Sequence, residues 1–90
     1  MLRPIRKIHI TSDFEKGLGK LPVNLRKLVA KRDQWFRANA MDSRLRAHPL
    51  KGELNGYWSY SVNYHLRILF RFIQKDEVIY YDLGTHEIYR

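Results

Sequence analysis

Between Leu21 and Phe36 the apolar residues recur every third and fourth position, and beyond Gly56 they recur every second. A chain that changes period once must place a helical segment beside strands, which points to an α+β domain. In the first stretch Leu21, Leu25, Leu28, Val29, Arg32, Trp35 and Phe36 fall on one helical stripe, with Pro22 suited to the first turn. In the second, Trp58, Tyr60 and Val62 alternate with Ser59, Ser61 and Asn63. Leu66, Ile68, Phe70 and Phe72 alternate with His65, Arg67, Leu69 and Arg71. The polar run Gln74-Lys75-Asp76 then predicts a tight turn into a last strand from Glu77 to about Leu83.

The remaining segments are shorter. Residues 3–10 alternate as a strand does. Thr11-Ser12-Asp13 offers a helix start, with Glu15 placed to close a capping box on Ser12. Gly17 and Gly19 weaken the helix that follows. His48-Pro49-Leu50-Lys51-Gly52-Glu53-Leu54-Asn55-Gly56 reads as a loop. The predicted order is β-α-α-β-β-β over a single domain, residues 1–90, with two N-terminal helices on one face of a small, mainly antiparallel sheet. Ninety residues cannot cover both faces of that sheet. The face carrying His65, Arg67 and Arg71 is therefore expected to be solvated and positive, while Trp58 reads as core.

Composition narrows the chemistry. The chain has no cysteine, which removes disulfides, thiolate zinc sites and cysteine nucleophiles. His48, His65 and His86 lack the short spacings of a metal site and have no acidic cluster beside them. Gly17-Leu18-Gly19 lacks the spacing and the Lys-Ser/Thr of a phosphate loop. No apolar run approaches the ~20 residues of a membrane span, and the basic start is not a signal peptide. A cytoplasmic protein without a membrane partner is the expectation. Net charge is +8, and it is uneven: residues 1–51 carry +9 and residues 52–90 carry −1. Such a surface attracts polyanions, RNA or DNA first and an acidic protein segment second.

One reaction needs only the residue types present. A base takes the proton of a ribose 2′-OH and the oxygen attacks the adjacent phosphorus. A cation steadies the extra charge, and an acid protonates the departing 5′-oxygen. Histidine serves as base or acid near neutrality, and arginine grips two phosphate oxygens. The candidates are His48, Lys51, Arg67, His86 and Tyr89.

Three segments carry a more specific signal. They are His48-Pro49-Leu50-Lys51-Gly52-Glu53-Leu54-Asn55-Gly56-Tyr57-Trp58-Ser59, His65-Leu66-Arg67-Ile68-Leu69-Phe70 and Gly84-Thr85-His86. Together they resemble the RelE/ParE superfamily of toxins from bacterial type II toxin–antitoxin pairs, and are most similar to the YafQ- and YoeB-like ribonucleases. The resemblance covers nearly the whole chain. It implies a microbial RNase-like fold, cleavage of mRNA in the ribosomal A site and neutralisation by a cognate antitoxin. The residue types present predict cleavage without a cofactor, and the basic surface predicts an antitoxin that wraps it with an acidic, partly disordered segment. The resemblance also implies roles. Arg67 matches the arginine on the scissile phosphate, His86 the C-terminal catalytic residue and His48 the loop histidine of the YafQ-like branch. Lys51, His65, Arg71 and Tyr89 complete the expected RNA-binding set. Ser61 and His65 stand where YafQ-like toxins carry a second histidine and an aspartate, which leaves the division of acid and base roles open. The ParE branch shares the fold and inhibits DNA gyrase without cutting RNA; it is the alternative that the resemblance leaves open.

Overall fold

The computed structural model describes residues 2–85; Met1 and residues 86–90 lie outside the described residues. A five-stranded sheet in the order β1-β5-β4-β3-β2 carries two helices on one face. The strands are β1 (Lys7–Ile10), β2 (His48–Pro49), β3 (Trp58–Ser61), β4 (Leu66–Gln74) and β5 (Glu77–Thr85). The helices are α1 (Ser12–Gly19) and α2 (Val23–Ala38). Only β1 and β5 run parallel; the other neighbours are antiparallel. The α+β class is as the periodicity predicts.

The core forms where the α2 stripe meets the alternate residues of β3, β4 and β5. Phe36 is fully buried, stacks on Tyr60 with ring centroids 4.8 Å apart, and meets Phe70 edge-on at 4.9 Å. From α1, Phe14 reaches Tyr80 at 5.1 Å. Leu66, Ile68 and Phe70 are buried in the same layer, with Trp58 packed against it. Aromatic pairs in tilted and edge geometries add to what area burial alone supplies.

Four local expectations give way, each for a physical reason. The first strand begins at Lys7 rather than Arg3, because Pro4 has no N–H to donate and the Ile5 N–H donates to the Arg37 carbonyl at the end of α2. Thr11, not Ser12, caps α1: its hydroxyl accepts from the Phe14 N–H, so Glu15 lies one position too late to close a capping box. The 48–56 segment is not wholly loop. His48 and Pro49 pair with Ser59 and Trp58 as an edge strand, followed by a 3₁₀ turn at Gly52–Leu54. Proline is tolerated there because an edge strand leaves one side unpaired. His65, finally, precedes β4 and belongs to the β3–β4 connection. Asn63 folds that connection by accepting from the His65 and Leu66 N–H groups at 2.9 and 2.7 Å.

The outer face of the sheet is also less open than expected. Ser59 is 2% exposed and its β4 partner Leu69 only 9%. Beside them the rings of Tyr57 and Tyr81 meet edge-on at 5.1 Å. The aromatic content of β5 and of the segment before β3 therefore shields part of a face that alternation alone marks as solvated.

Candidate RNA-cleavage site

Arg67 is the fixed point of the outer face. It sits on β4 opposite Ser61 on one side and Gly84 on the other, so neither neighbour crowds its side chain. Its Nη1 donates to the Asn63 carbonyl at 2.7 Å, which anchors the guanidinium to the hairpin end while other N–H groups stay available. No salt bridge to a carboxylate forms at Arg67 among the described residues. Pairing with Glu53 or Asp82, the obvious structural employment for this arginine, is not its role here.

His48 lies on β2, exposed, with its Nδ1 2.9 Å from the Arg46 carbonyl oxygen. A carbonyl only accepts, so Nδ1 carries the proton of that bond. In the neutral ring Nε2 is then the basic nitrogen. The carbonyl is aimed by an uncommon backbone: Arg46 has φ 54°, the one non-glycine residue in the left-handed region among those described. That conformation closes the 3₁₀ turn Ser43–Leu45, of which Arg46 is the C-cap. Through the register His48–Ser59–Leu69, His48 stands two strands from β4 and two residues along from Arg67. Strand spacings put their Cα atoms about 12 Å apart, close enough for both side chains to reach one phosphate and its ribose.

The other expected residues divide. Lys51 follows β2, exposed, at the start of the 3₁₀ turn. His65 is exposed in the β3–β4 connection, its ring edge-on to Tyr64 at 5.0 Å. Arg71 is exposed on β4 but four residues from Arg67, about 13 Å along the strand. There its guanidinium carbon lies 5.8 Å from the Tyr57 ring centroid, in the aromatic group and away from Arg67. His86 and Tyr89 lie outside the described residues.

Pattern reading missed the residues that surround Arg67 on its far side. Arg32, Trp35, Arg44, Arg46 and Tyr64 join it in lining a cleft of about 440 Å³. The signal was present: Arg32 interrupts an apolar stripe, and Arg44 and Arg46 flank the buried Leu45. Nothing local connected the two, because the cleft is assembled from α2, the segment after it and the β3–β4 connection.

This architecture, two helices against a mixed five-stranded sheet, is a RelE-like toxin fold. No family model matches the chain, and no curated protein does. Solved structures do. The chain is similar to the toxin–antitoxin complex RelBE2 from Mycobacterium tuberculosis at 20% identity, over 92% of this chain and 93% of that one, with a TM-score of 0.77. It is similar to a YoeB/ParE toxin from Agrobacterium tumefaciens at 15% identity, over 90% and 99%, with a TM-score of 0.74. It is likewise similar to Escherichia coli YafQ at 16% identity, over 92% and 96%, with a TM-score of 0.67. At these identities the likeness is one of fold.

Proposed function

We propose that this chain is the toxin of a type II toxin–antitoxin pair and acts as a ribosome-dependent mRNA endoribonuclease. The observation that carries the reading is the pairing, on one sheet face, of Arg67, which has no carboxylate partner among the described residues, with a histidine whose Nε2 is the basic nitrogen. A protein that only binds another protein has no need of a proton-transfer group oriented in this way. In the proposed reaction Nε2 of His48 takes the 2′-OH proton, and the freed oxygen attacks phosphorus. Arg67 and Lys51 hold the phosphate oxygens as charge builds on the phosphorane. The P–O5′ bond breaks as His86 delivers a proton to the leaving oxygen, giving a 2′,3′-cyclic phosphate and a 5′-hydroxyl. Tyr89, His65 and Arg71 contribute to binding the strand. The antitoxin contacts the same basic surface through an acidic segment.

The test is to induce the chain in bacteria and map new mRNA 5′ ends. Cuts inside translated frames at a fixed codon position are expected, and they should vanish in Arg67→Ala and in His86→Ala. Growth arrest with intact mRNA and broken DNA, preserved in His86→Ala, would move the chain to the gyrase-inhibiting branch.

A further inference from the structure

The cleft beyond Arg67 holds more cationic donors than one scissile phosphate uses. Four arginines line it, Arg32, Arg44, Arg46 and Arg67, and among the described residues only Arg44 pairs with a carboxylate, that of Asp42. Two are fixed by backbone of the β3–β4 connection: Arg32 Nε donates to the Val62 carbonyl at 3.0 Å and Arg67 Nη1 to that of Asn63. The guanidinium groups of Arg32 and Arg44 lie 4.0 and 3.7 Å from the Trp35 ring centroid. Stacking on the indole holds both in place before any ligand arrives, which lowers the ordering cost of binding. Tyr64 stands at the rim, 85% exposed.

That combination selects a ligand class. An acidic peptide would satisfy the arginines but has no use for an aromatic ring held out in water. A paired helix keeps its bases stacked inside, so it too would leave the ring idle. An unpaired nucleotide strand uses both, with phosphates on the guanidinium groups and a base on the ring. We infer that this cleft binds the stretch of single-stranded RNA adjoining the scissile phosphate, with Arg32 and Arg46 on its backbone and Tyr64 stacked on a base. The inference rests on the reading above in placing the scissile phosphate at Arg67.

The experiment measures anisotropy of a short labelled RNA with every ribose 2′-O-methylated, so that it binds the full-length protein without being cut. Arg46→Asn keeps a residue that tolerates the left-handed backbone, and Tyr64→Ala alters an exposed side chain, so both variants should melt as the parent does. Arg46→Asn should weaken binding about tenfold and flatten the dependence of log K on log salt by about 0.7. Tyr64→Ala should weaken it about tenfold with the salt slope unchanged. Lys27→Gln, on the exposed side of α2, should change nothing. Parental affinity in both cleft variants overturns the proposal. So does an equal loss in Lys27→Gln, or equally tight, Tyr64-dependent binding of duplex RNA or polyglutamate. Cleavage in cells is scored separately. Cleft-dependent binding without mRNA cuts keeps the cleft and removes the nuclease reading. Normal cuts with unaltered binding in the cleft variants do the reverse.

Discussion

Asp33 is where the core touches solvent chemistry. Its Oδ1 accepts from the Tyr80 hydroxyl at 2.7 Å and its Oδ2 from Arg37 Nε at 2.8 Å. Because the Tyr80 proton is committed to Asp33, the Tyr60 hydroxyl donates to the Tyr80 oxygen, 2.8 Å away. The chain Tyr60–Tyr80–Asp33–Arg37 thus runs one way from the buried layer to the surface. Its members are not equivalent. Tyr60→Phe removes a donor at the end of the chain and should cost about 1 kcal/mol in urea denaturation. Tyr80→Phe strands the buried Tyr60 hydroxyl and removes a partner from Asp33, and should cost about 2–3 kcal/mol. Equal losses would mean that the hydroxyls act independently. Burial pushes both phenols above their ordinary value near 10. The unfolded chain therefore ionises first, so stability from this pair is intact below pH 10 and drains as pH rises beyond it. In an alkaline titration two of the six tyrosines should ionise only as the fold is lost.

At the scale of elements, the contact of α1 with β5 depends on one missing side chain. A Cβ on Gly17 would lie 2.9 Å from Leu83 Cδ2, whereas nothing lies within 4 Å of one on Gly19. Alanine at either position gains helix propensity of up to about 1 kcal/mol. Gly19→Ala should keep most of that gain. Gly17→Ala must displace a methyl of Leu83, which is 8% exposed, and should keep little or none. Comparing urea midpoints of the two variants checks this, and identical gains would show that α1 yields freely. The elements differ in how far pattern alone revealed them. The α2 stripe and the alternation through β3, β4 and β5 are legible because each element's burial repeats along its own residues. The two-residue β2 has no period of its own and exists because Ser59 and Trp58 supply its partners. The same holds for the site. Arg67 and His48 sit in motifs that can be read in line. Arg32 and Arg46, 14 residues apart, line one cleft because the chain turns between them at Ser43–Leu45.

For the molecule as a whole, what matters is how its carboxylates are spent. Asp33 holds Arg37, Asp42 holds Arg44, and Asp76 and Glu77 hold Arg6, with Glu77 also bonded to His9. The hydrogen bonds from Arg44 draw the Asp42 carboxyl down to about 2, so that pair stays charged across the range in which cells live. The cleft itself holds three arginines, Arg32, Arg46 and Arg67, that have no carboxylate partner among the described residues. A net +8 chain should then answer salt in two distinct ways. If those three arginines meet phosphates, the affinity for single-stranded RNA should fall about 20-fold between 50 and 200 mM salt, since the slope is about −0.7 per phosphate. The fold should hardly respond, because its ion pairs lie at the surface, with the side chains of Arg6, Arg37 and Arg44 48–66% exposed. Exposed pairs contribute little, and salt also relieves the repulsion among excess cations. Melting and RNA binding followed on the same samples across that range separate the two effects. A melting temperature that drops together with affinity would make the ion pairs structural supports. Affinity that falls alone would mean that the cationic surface is held ready for a polyanion at little cost to the fold.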